Sequence, residues 1–286
     1  MIFTTRFAPS PTGPLHLGHA YSALLAFDMS VRAQGTFLLR IEDIDQSRAR
    51  ATWEDRISDD LAWLGLRWPI PVLRQSDNMN SYAQALDRLW DMGFIYRCDC
   101  TRRDIETAAH APQEGAPLHG PDGMIYPGTC RTRHPRGGAR PVEAVLRLDM
   151  AAALARRDTP ILYRETGLHP GEIQVANAPE TIGDIVLARR GMGTSYHLSV
   201  VVDDAAQGIT HVVRGADLAE ATAIHVILQG LLDLHVPTYH HHRLIRDDAG
   251  KRLAKRDDAR AIAKYRAEGA TPADIRNMVG LPPSLI

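Results

Sequence analysis

Arg6-Phe7-Ala8-Pro9-Ser10-Pro11-Thr12-Gly13-Pro14-Leu15-His16-Leu17-Gly18-His19 is the stretch that decides the fold of this chain. Residues 2–7 are β-branched and aromatic, which predicts a short strand. The Pro/Gly-rich run after it can continue neither strand nor helix and predicts a loop. Downstream, Ala20, Ala23, Leu24, Phe27 and Val31 recur on one side of a helix over residues 18–33, with Gly35 as its stop. Residues 36–41 form the second strand. A crossover of this length implies parallel pairing, hence a βαβ unit in an α/β sheet. The two histidines sit where that helix begins, among backbone N–H groups and the positive end of the dipole, a place that suits phosphate. Gly18 between them lets a flat ligand such as a nucleobase approach the backbone. Histidine N–H groups can stabilise charge as it builds on phosphate oxygens. Taken alone, His-x-x-His at a helix start is more simply a cap with two surface histidines.

The rest of the chain fits a globular protein. It has 286 residues, 44% hydrophobic and 23% charged, with a net charge of -1, which excludes disordered and fibrous classes. No apolar run approaches the roughly 20 residues of a membrane helix, and the N-terminus lacks a signal-peptide pattern. Three cysteines, an odd number, argue against a disulfide framework. A cytoplasmic protein that meets no membrane is expected. The near-zero charge argues against a generic nucleic-acid binder, although a local basic face would not show in the sum. Helices are expected over residues 50–64, 81–92 and 218–232, and strands over 144–148, 182–188, 198–202, 209–213 and near 241–245. Residues 98–141 hold all the cysteines and little periodicity. The last 40 residues are charged and helical.

A second basic element lies far downstream, Lys251-Arg252-Leu253-Ala254-Lys255-Arg256, after the turn-forming Asp247-Asp248-Ala249-Gly250. By itself it is a solvated basic turn. Beside a phosphate-binding helix start it could supply a mobile lysine to a polyphosphate, since lysine is a compact point charge on a flexible stem.

Together these motifs resemble a known family. His16-Leu17-Gly18-His19 is similar to the HIGH signature of class I aminoacyl-tRNA synthetases, and Arg252-Leu253-Ala254-Lys255-Arg256 to their KMSKS loop. The flanking residues 6–13, Arg40-Ile41-Glu42-Asp43-Ile44-Asp45, Tyr196-His197-Leu198, Val201-Val202-Asp203-Asp204 and Val213-Arg214-Gly215-Ala216-Asp217 resemble glutamyl-tRNA synthetases in particular. One departure is Ala254, where the family usually has Ser; Lys255 is in place. The resemblance implies a Rossmann-type parallel-sheet catalytic domain over residues 1–97 and 181–245, an inserted zinc-containing subdomain over 98–180, and a KMSKS-like loop with a short helical stem over 246–286. It implies catalytic roles for His16, His19 and Lys255. It also implies ATP contacts from His16, Gly18, His19, Arg252, Leu253 and Lys255, with Mg2+ accompanying the ATP.

Topology supports an amino-acid site on the same rim, because ligands in open parallel sheets bind beyond the carboxyl ends of the strands. Arg6 and Glu42 end the first two expected strands, Arg214 ends another, and Tyr196 precedes one. Two arginines, a carboxylate and a tyrosine suit a substrate with two carboxylates and an ammonium. By resemblance, Arg6 and Arg214 hold the carboxylates of L-glutamate, Glu42 its ammonium, and Tyr196, Ser10 and Ala8 the remainder. Ordinary Arg–Glu pairing at a sheet edge is the plainer alternative.

Cys98, Cys100 and Cys130 look like three thiolate ligands of a tetrahedral zinc, which needs a fourth. Ligand chemistry alone favours a histidine, His134 or His119. The resemblance favours Tyr126, since short glutamyl-synthetase paralogues carry C-x-C followed by Y-x-x-x-C. Free thiols are the plainer alternative. The run His240-His241-His242 is read as structural, because strand alternation splits the three between two faces. The basic stretch of Arg131, Arg133, Arg136 and Arg140 is a solvated loop that could touch an RNA backbone.

Full-length glutamyl-tRNA synthetases continue into an anticodon-binding region, whereas this sequence ends about 30 residues after Lys255. In this it is similar to the short paralogues that activate glutamate without tRNA and esterify it to queuosine at the wobble position of tRNA(Asp). A monomer is expected. Alternatives are a truncated synthetase charging a tRNA 3′ end, and an inactive RNA-binding paralogue.

Overall fold

Strand β1 (Thr4–Phe7), helix α1 (Leu17–Arg32) and strand β2 (Thr36–Ile41) form the expected βαβ unit, with Arg6 opposite Leu38 in a parallel register. The structure, a computed structural model, describes residues 2–109, 118–157, 159–246 and 260–284. The turn out of α1 differs in detail from expectation. Gln34, not glycine, takes the left-handed conformation, at φ 50°. Gly35 is needed for another reason: a Cβ there would stand 2.1 Å from the Phe3 carbonyl oxygen.

The chain continues through α2 (Ala51–Trp63), β3 (Leu73–Arg74), α3 (Met79–Asp91), β4 (Ile95–Cys98) and α4 (Arg102–Ala109). A small hairpin, β5 (His119–Gly120) with β6 (Gly123–Met124), precedes β7 (Val145–Leu148), α5 (Met150–Leu154), β8 (Ile161–Glu165) and β9 (Gly171–Val175). Then come α6 (Ala178–Thr181), β10 (Val186–Ala188), α7 (Tyr196–Ala206), β11 (His211–Gly215), α8 (Thr222–Leu231) and β12 (Thr238–His242). Short helices α9 (Ile262–Ala267) and α10 (Pro272–Met278) follow.

Two parallel ribbons carry the fold. One is β1-β2-β3; the other is β11-β12-β8, edged by antiparallel β9. They meet at β1 and β11, where Thr210 N donates to Thr4 O at 2.9 Å and Thr4 N to Thr210 Oγ1 at 2.8 Å. From β1 the chain builds outward on one side through β2, and on the other through β11. That reversal opens a crevice beyond the strand ends. Strands β4, β7 and β10 make a separate antiparallel sheet with β7 central.

One core joins this sheet to α7 and α8 through Leu146, Leu148, Leu198, Val201, Ile224 and Leu228. A second packs α1, β1, β2 and α2 around Leu24, Leu39, Ile41 and Leu61, and takes in Ile262 and Ile275 from α9 and α10. Arg276 fastens α10 to α1 by donating to both oxygens of buried Asp28, at 2.9 and 2.7 Å. Among the described residues no helix is long and apolar enough to cross a membrane.

The structure corrects several expected elements. Residues 198–202 are not a strand but part of α7, capped by Ser195, whose hydroxyl accepts from Leu198 N. Tyr196 therefore heads a helix instead of preceding a strand. The valine run misled because α7 is buried nearly all round, and a short continuous apolar run carries no period to separate helix from strand. The last expected strand lies earlier, at Thr238–His242, and the hairpin β8–β9 had no counterpart among the expected elements.

Candidate active site

A cavity of about 630 Å³ opens at the carboxyl ends of β1 and β11. It brings together Arg6, Ala8 and Ser10 from the end of β1 and its loop, and His16, Gly18 and His19 from the start of α1. Glu42, just past β2, Tyr196 at the head of α7 and Arg214 in β11 line it too. Arg252, Leu253 and Lys255 lie outside the described residues.

The two histidines prove to be a cap and more. His16 Nδ1 accepts from Gly18 N at 3.1 Å, and His19 Nδ1 accepts from His16 N at 3.2 Å. Their ring centroids are 3.8 Å apart. Because each Nδ1 accepts a backbone N–H, each ring carries its proton on Nε2. The capping bonds thus turn both imidazoles into donors beside a helix N-terminus.

At the foot of the cavity lies a buried charge network that the motifs only hinted at. Asp204 Oδ1 accepts from Arg6 Nε at 2.9 Å and from Arg40 Nη1 at 2.7 Å. Arg40 is fully buried; its Nη2 reaches Glu42 Oε1 at 3.4 Å and its Nε lies 3.9 Å from Asp203. Gln75, Asn78 and Tyr82 donate to Asp203. Burial acts to raise the Asp204 carboxyl, but Arg6 and Arg40 outweigh it and hold it below the usual range. At Glu42 burial wins over Arg40 and Arg6, and the carboxyl is pushed up. A further cation beside Glu42 would favour its ionised form. Two adjacent aspartates inside an otherwise apolar run were the available signal, since buried carboxylates need partners.

Arg214 sits in a different setting. Nε donates to His241 Nε2 at 3.1 Å, Nη1 to His225 Nδ1 at 3.0 Å, and Nη2 to Leu218 O at 3.1 Å and Thr222 Oγ1 at 2.8 Å. Four of the five N–H donors of a guanidinium are thereby engaged, so this side chain does not present a two-pronged fork to the cavity. Burial first, and Arg214 next, hold the His225 and His241 rings below the ordinary histidine range. Of the histidine run, His241 meets Arg214 and Glu165, His240 meets Thr166, and His242 packs edge-on to Tyr21. Burial raises the Tyr196 phenol, with Glu42 adding to it.

A second polar cluster lies away from the cavity. The Cys98, Cys100 and Cys130 sulfurs are within 4.8 Å of one another. Tyr126 Oη is 3.5 Å from Cys98 Sγ and 3.2 Å from Cys100 Sγ, and accepts from Cys130 N at 2.9 Å. His134 instead faces Asp99, with Nε2 2.5 Å from Oδ2, and His119 sits on the exposed hairpin; neither joins the sulfur cluster. Burial pushes the Cys100 thiol up to about 11 and raises the Tyr126 phenol as well. At Cys130 hydrogen bonds led by Tyr126 outweigh burial, and the thiol sits at about 7. Three thiols this close together are a donor set that could hold a metal ion.

A model of the tRNA synthetases class I (E and Q), catalytic domain, matches residues 3–282. A Rhodobacter capsulatus protein named glutamyl-Q tRNA(Asp) synthetase is 64% identical over 281 residues, which cover 97% of this chain and 99% of that one. The protein of the same name from Nocardia farcinica is 41% identical over 290 residues, covering 97% and 85%. A glutamate tRNA ligase of Elizabethkingia meningosepticum, solved in complex with its amino acid, superposes with a TM-score of 0.75 at 27% identity over 98% of this chain. The glutamate-tRNA synthetase of Elizabethkingia anophelis gives 0.76 at 26% identity. This chain spans 60% of the former ligase and 61% of the latter. A match from residue 3 to residue 282, over the sheet that builds the cleft, settles the family: the chain belongs to the class I tRNA synthetases (E and Q), in the branch of the glutamyl-Q tRNA(Asp) synthetases.

Proposed function

We propose that this chain activates L-glutamate with ATP in the absence of tRNA, then transfers the glutamyl group to queuosine at the wobble position of tRNA(Asp). The observation that carries this is the shared cavity. The paired donor histidines and the amino-acid partners Arg6, Glu42 and Arg214 line one space of about 630 Å³. The α-carboxylate of glutamate attacks the α-phosphate of Mg-bound ATP in line, and pyrophosphate leaves. His16 and His19 donate from Nε2 to the phosphate oxygens, where preorganised donors act most strongly. Lys255 completes the phosphate contacts, with Arg252 and Leu253 also against the ATP. Support for this comes from the flanking chain: Ile245 lines the cavity, and Ala261 pairs with the backbone of His16. A hydroxyl of the queuosine cyclopentenediol then attacks the glutamyl-adenylate, and AMP leaves. The splayed bases of an anticodon loop are the usual target of sequence-specific RNA recognition. The reaction takes place in the cytoplasm.

Glutamate-dependent ATP–pyrophosphate exchange without tRNA is the first expected result. Glutamylation of tRNA(Asp) lacking its 3′ adenosine, lost when queuosine is absent, is the second. Charging of unmodified tRNA(Glu) would overturn the proposal.

A structural zinc ion on Cys98, Cys100, Tyr126 and Cys130 belongs to the same proposal. It would add folding free energy, because its ligands come from separated segments. Protein purified without chelator should hold one zinc per chain, and its removal should lower Tm. Metal analysis that finds none contradicts the site.

A further inference from the structure

Arg6 and Arg214 are compensated in opposite ways. Arg6 lies on a carboxylate, Asp204, whereas the partners of Arg214 given above are all uncharged. Arginine has donors and no acceptor, so each ring nitrogen that faces it must be an acceptor. That single constraint fixes the ring protons of His241, His225 and His197, all three buried. His241 Nε2 accepts from Arg214, so Nδ1 carries the proton and donates to Glu165 Oε2 at 2.5 Å. His225 Nδ1 accepts from Arg214, so its Nε2 donates to His197 Nδ1 at 3.1 Å. His197 Nε2 in turn donates to Asp122 Oδ1 at 3.2 Å. Each carboxylate ends a chain of bonds instead of touching the guanidinium.

We propose that the His241–Glu165 pair, with His225, positions Arg214 and screens it from carboxylates of the protein, so that its charge answers to the anionic side chain of the bound amino acid. Preference for glutamate over glutamine follows from this. The inference rests on the proposal that glutamate is the substrate. The Glu165 turn is built for the task. Its Oε1 accepts from Gly167 N at 2.6 Å, His241 N at 3.0 Å and Thr166 N at 3.1 Å. A Cβ on Gly167 would stand 2.3 Å from the His241 carbonyl oxygen, so only glycine lets the turn close on β12.

Glu165→Gln tests it with little change of shape. The glutamine keeps the carbonyl that holds the turn but puts an amide NH2 against His241 Nδ1. The ring must then move its proton to Nε2, where it faces the Arg214 N–H. Exchange assays should show the glutamate KM raised by about tenfold, with the ATP KM and kcat within about threefold, the pattern of a weakened substrate contact. The preference for glutamate over glutamine should fall by about tenfold. The double variant Glu165→Gln/His241→Gln should recover, because the second glutamine can turn its carbonyl to Arg214 and has no tautomer to lose. A wild-type glutamate KM in Glu165→Gln, or equal losses in both variants, overturns the positioning role alone. Wild-type protein that exchanges with glutamine but not glutamate overturns both this inference and the substrate assignment beneath it.

Discussion

Replacement of His19 by asparagine should lower turnover in glutamate-dependent ATP–pyrophosphate exchange by about 100- to 1,000-fold, the usual loss when one preorganised donor to a transition state is removed. The expectation comes from the division of labour within the ring. Nδ1 caps α1 by accepting from His16 N, and the proton consequently sits on Nε2. Asparagine keeps an acceptor at the Nδ1 position and lacks the distant donor. Stability should therefore hold while catalysis fails. His19→Ala removes both functions: the same loss of turnover should come with about 1 kcal/mol of lost stability, the ordinary worth of a cap. The glutamate KM should stay within about threefold in both, since His19 acts on phosphate rather than on the amino acid. A cap-preserving variant that turned over within about fivefold of wild type would show that the ring only holds the helix end, against the donor role assigned to it.

That double use explains what the sequence could and could not disclose. The βαβ unit was legible because its signals agree: a β-branched strand, a Pro/Gly loop, a periodic helix and a second strand. The location of Arg6, Glu42 and Arg214 followed from topology, because strand ends in a parallel sheet point to one crevice. Partners were not legible. Nothing local says that Arg40 and Arg6 share Asp204, 164 and 198 residues away. The same limit hides the neutral partners of Arg214 on β12 and α8, and Glu165 behind His241 on β8, a strand the sequence pattern does not reveal. Helix α7 reads as a strand in the sequence because burial nearly all round erases the period that identifies a helix. The same burial is what gives Asp203 and Asp204, at its end, their hold on the arginines.

Asp204→Ala should cost about 3–5 kcal/mol of folding stability, because removing one member of a buried ion cluster strands its partners. Arg6 loses the carboxylate it lies on, and Arg40 loses the nearest of its carboxylates while keeping Glu42 and Asp203. Arg40 is fully buried and Arg6 is 5% exposed, so water cannot replace the lost carboxylate at either. Asp204→Asn keeps an oxygen acceptor and should lose less, while putting an amide NH2 against donors that already face inward. The penalty should also follow pH with a defined sign. The Asp204 carboxyl is held below its ordinary value in the folded protein, because Arg6 and Arg40 outweigh burial. Its contribution is therefore complete above the unfolded value of about 3.9 and fades as pH falls through the lower folded value. Urea unfolding of wild type and Asp204→Asn should give a constant gap at neutral pH that narrows only in strong acid. The glutamate KM of Asp204→Asn should rise as well, since Nε and Nη2 of Arg6 are oriented by the carboxylate that is lost. A loss below about 1 kcal/mol for Asp204→Ala would mean that water reaches Arg40 after all, because an exposed pair is worth no more than that. Arg6 would then need some other anchor to stand at the foot of the cavity.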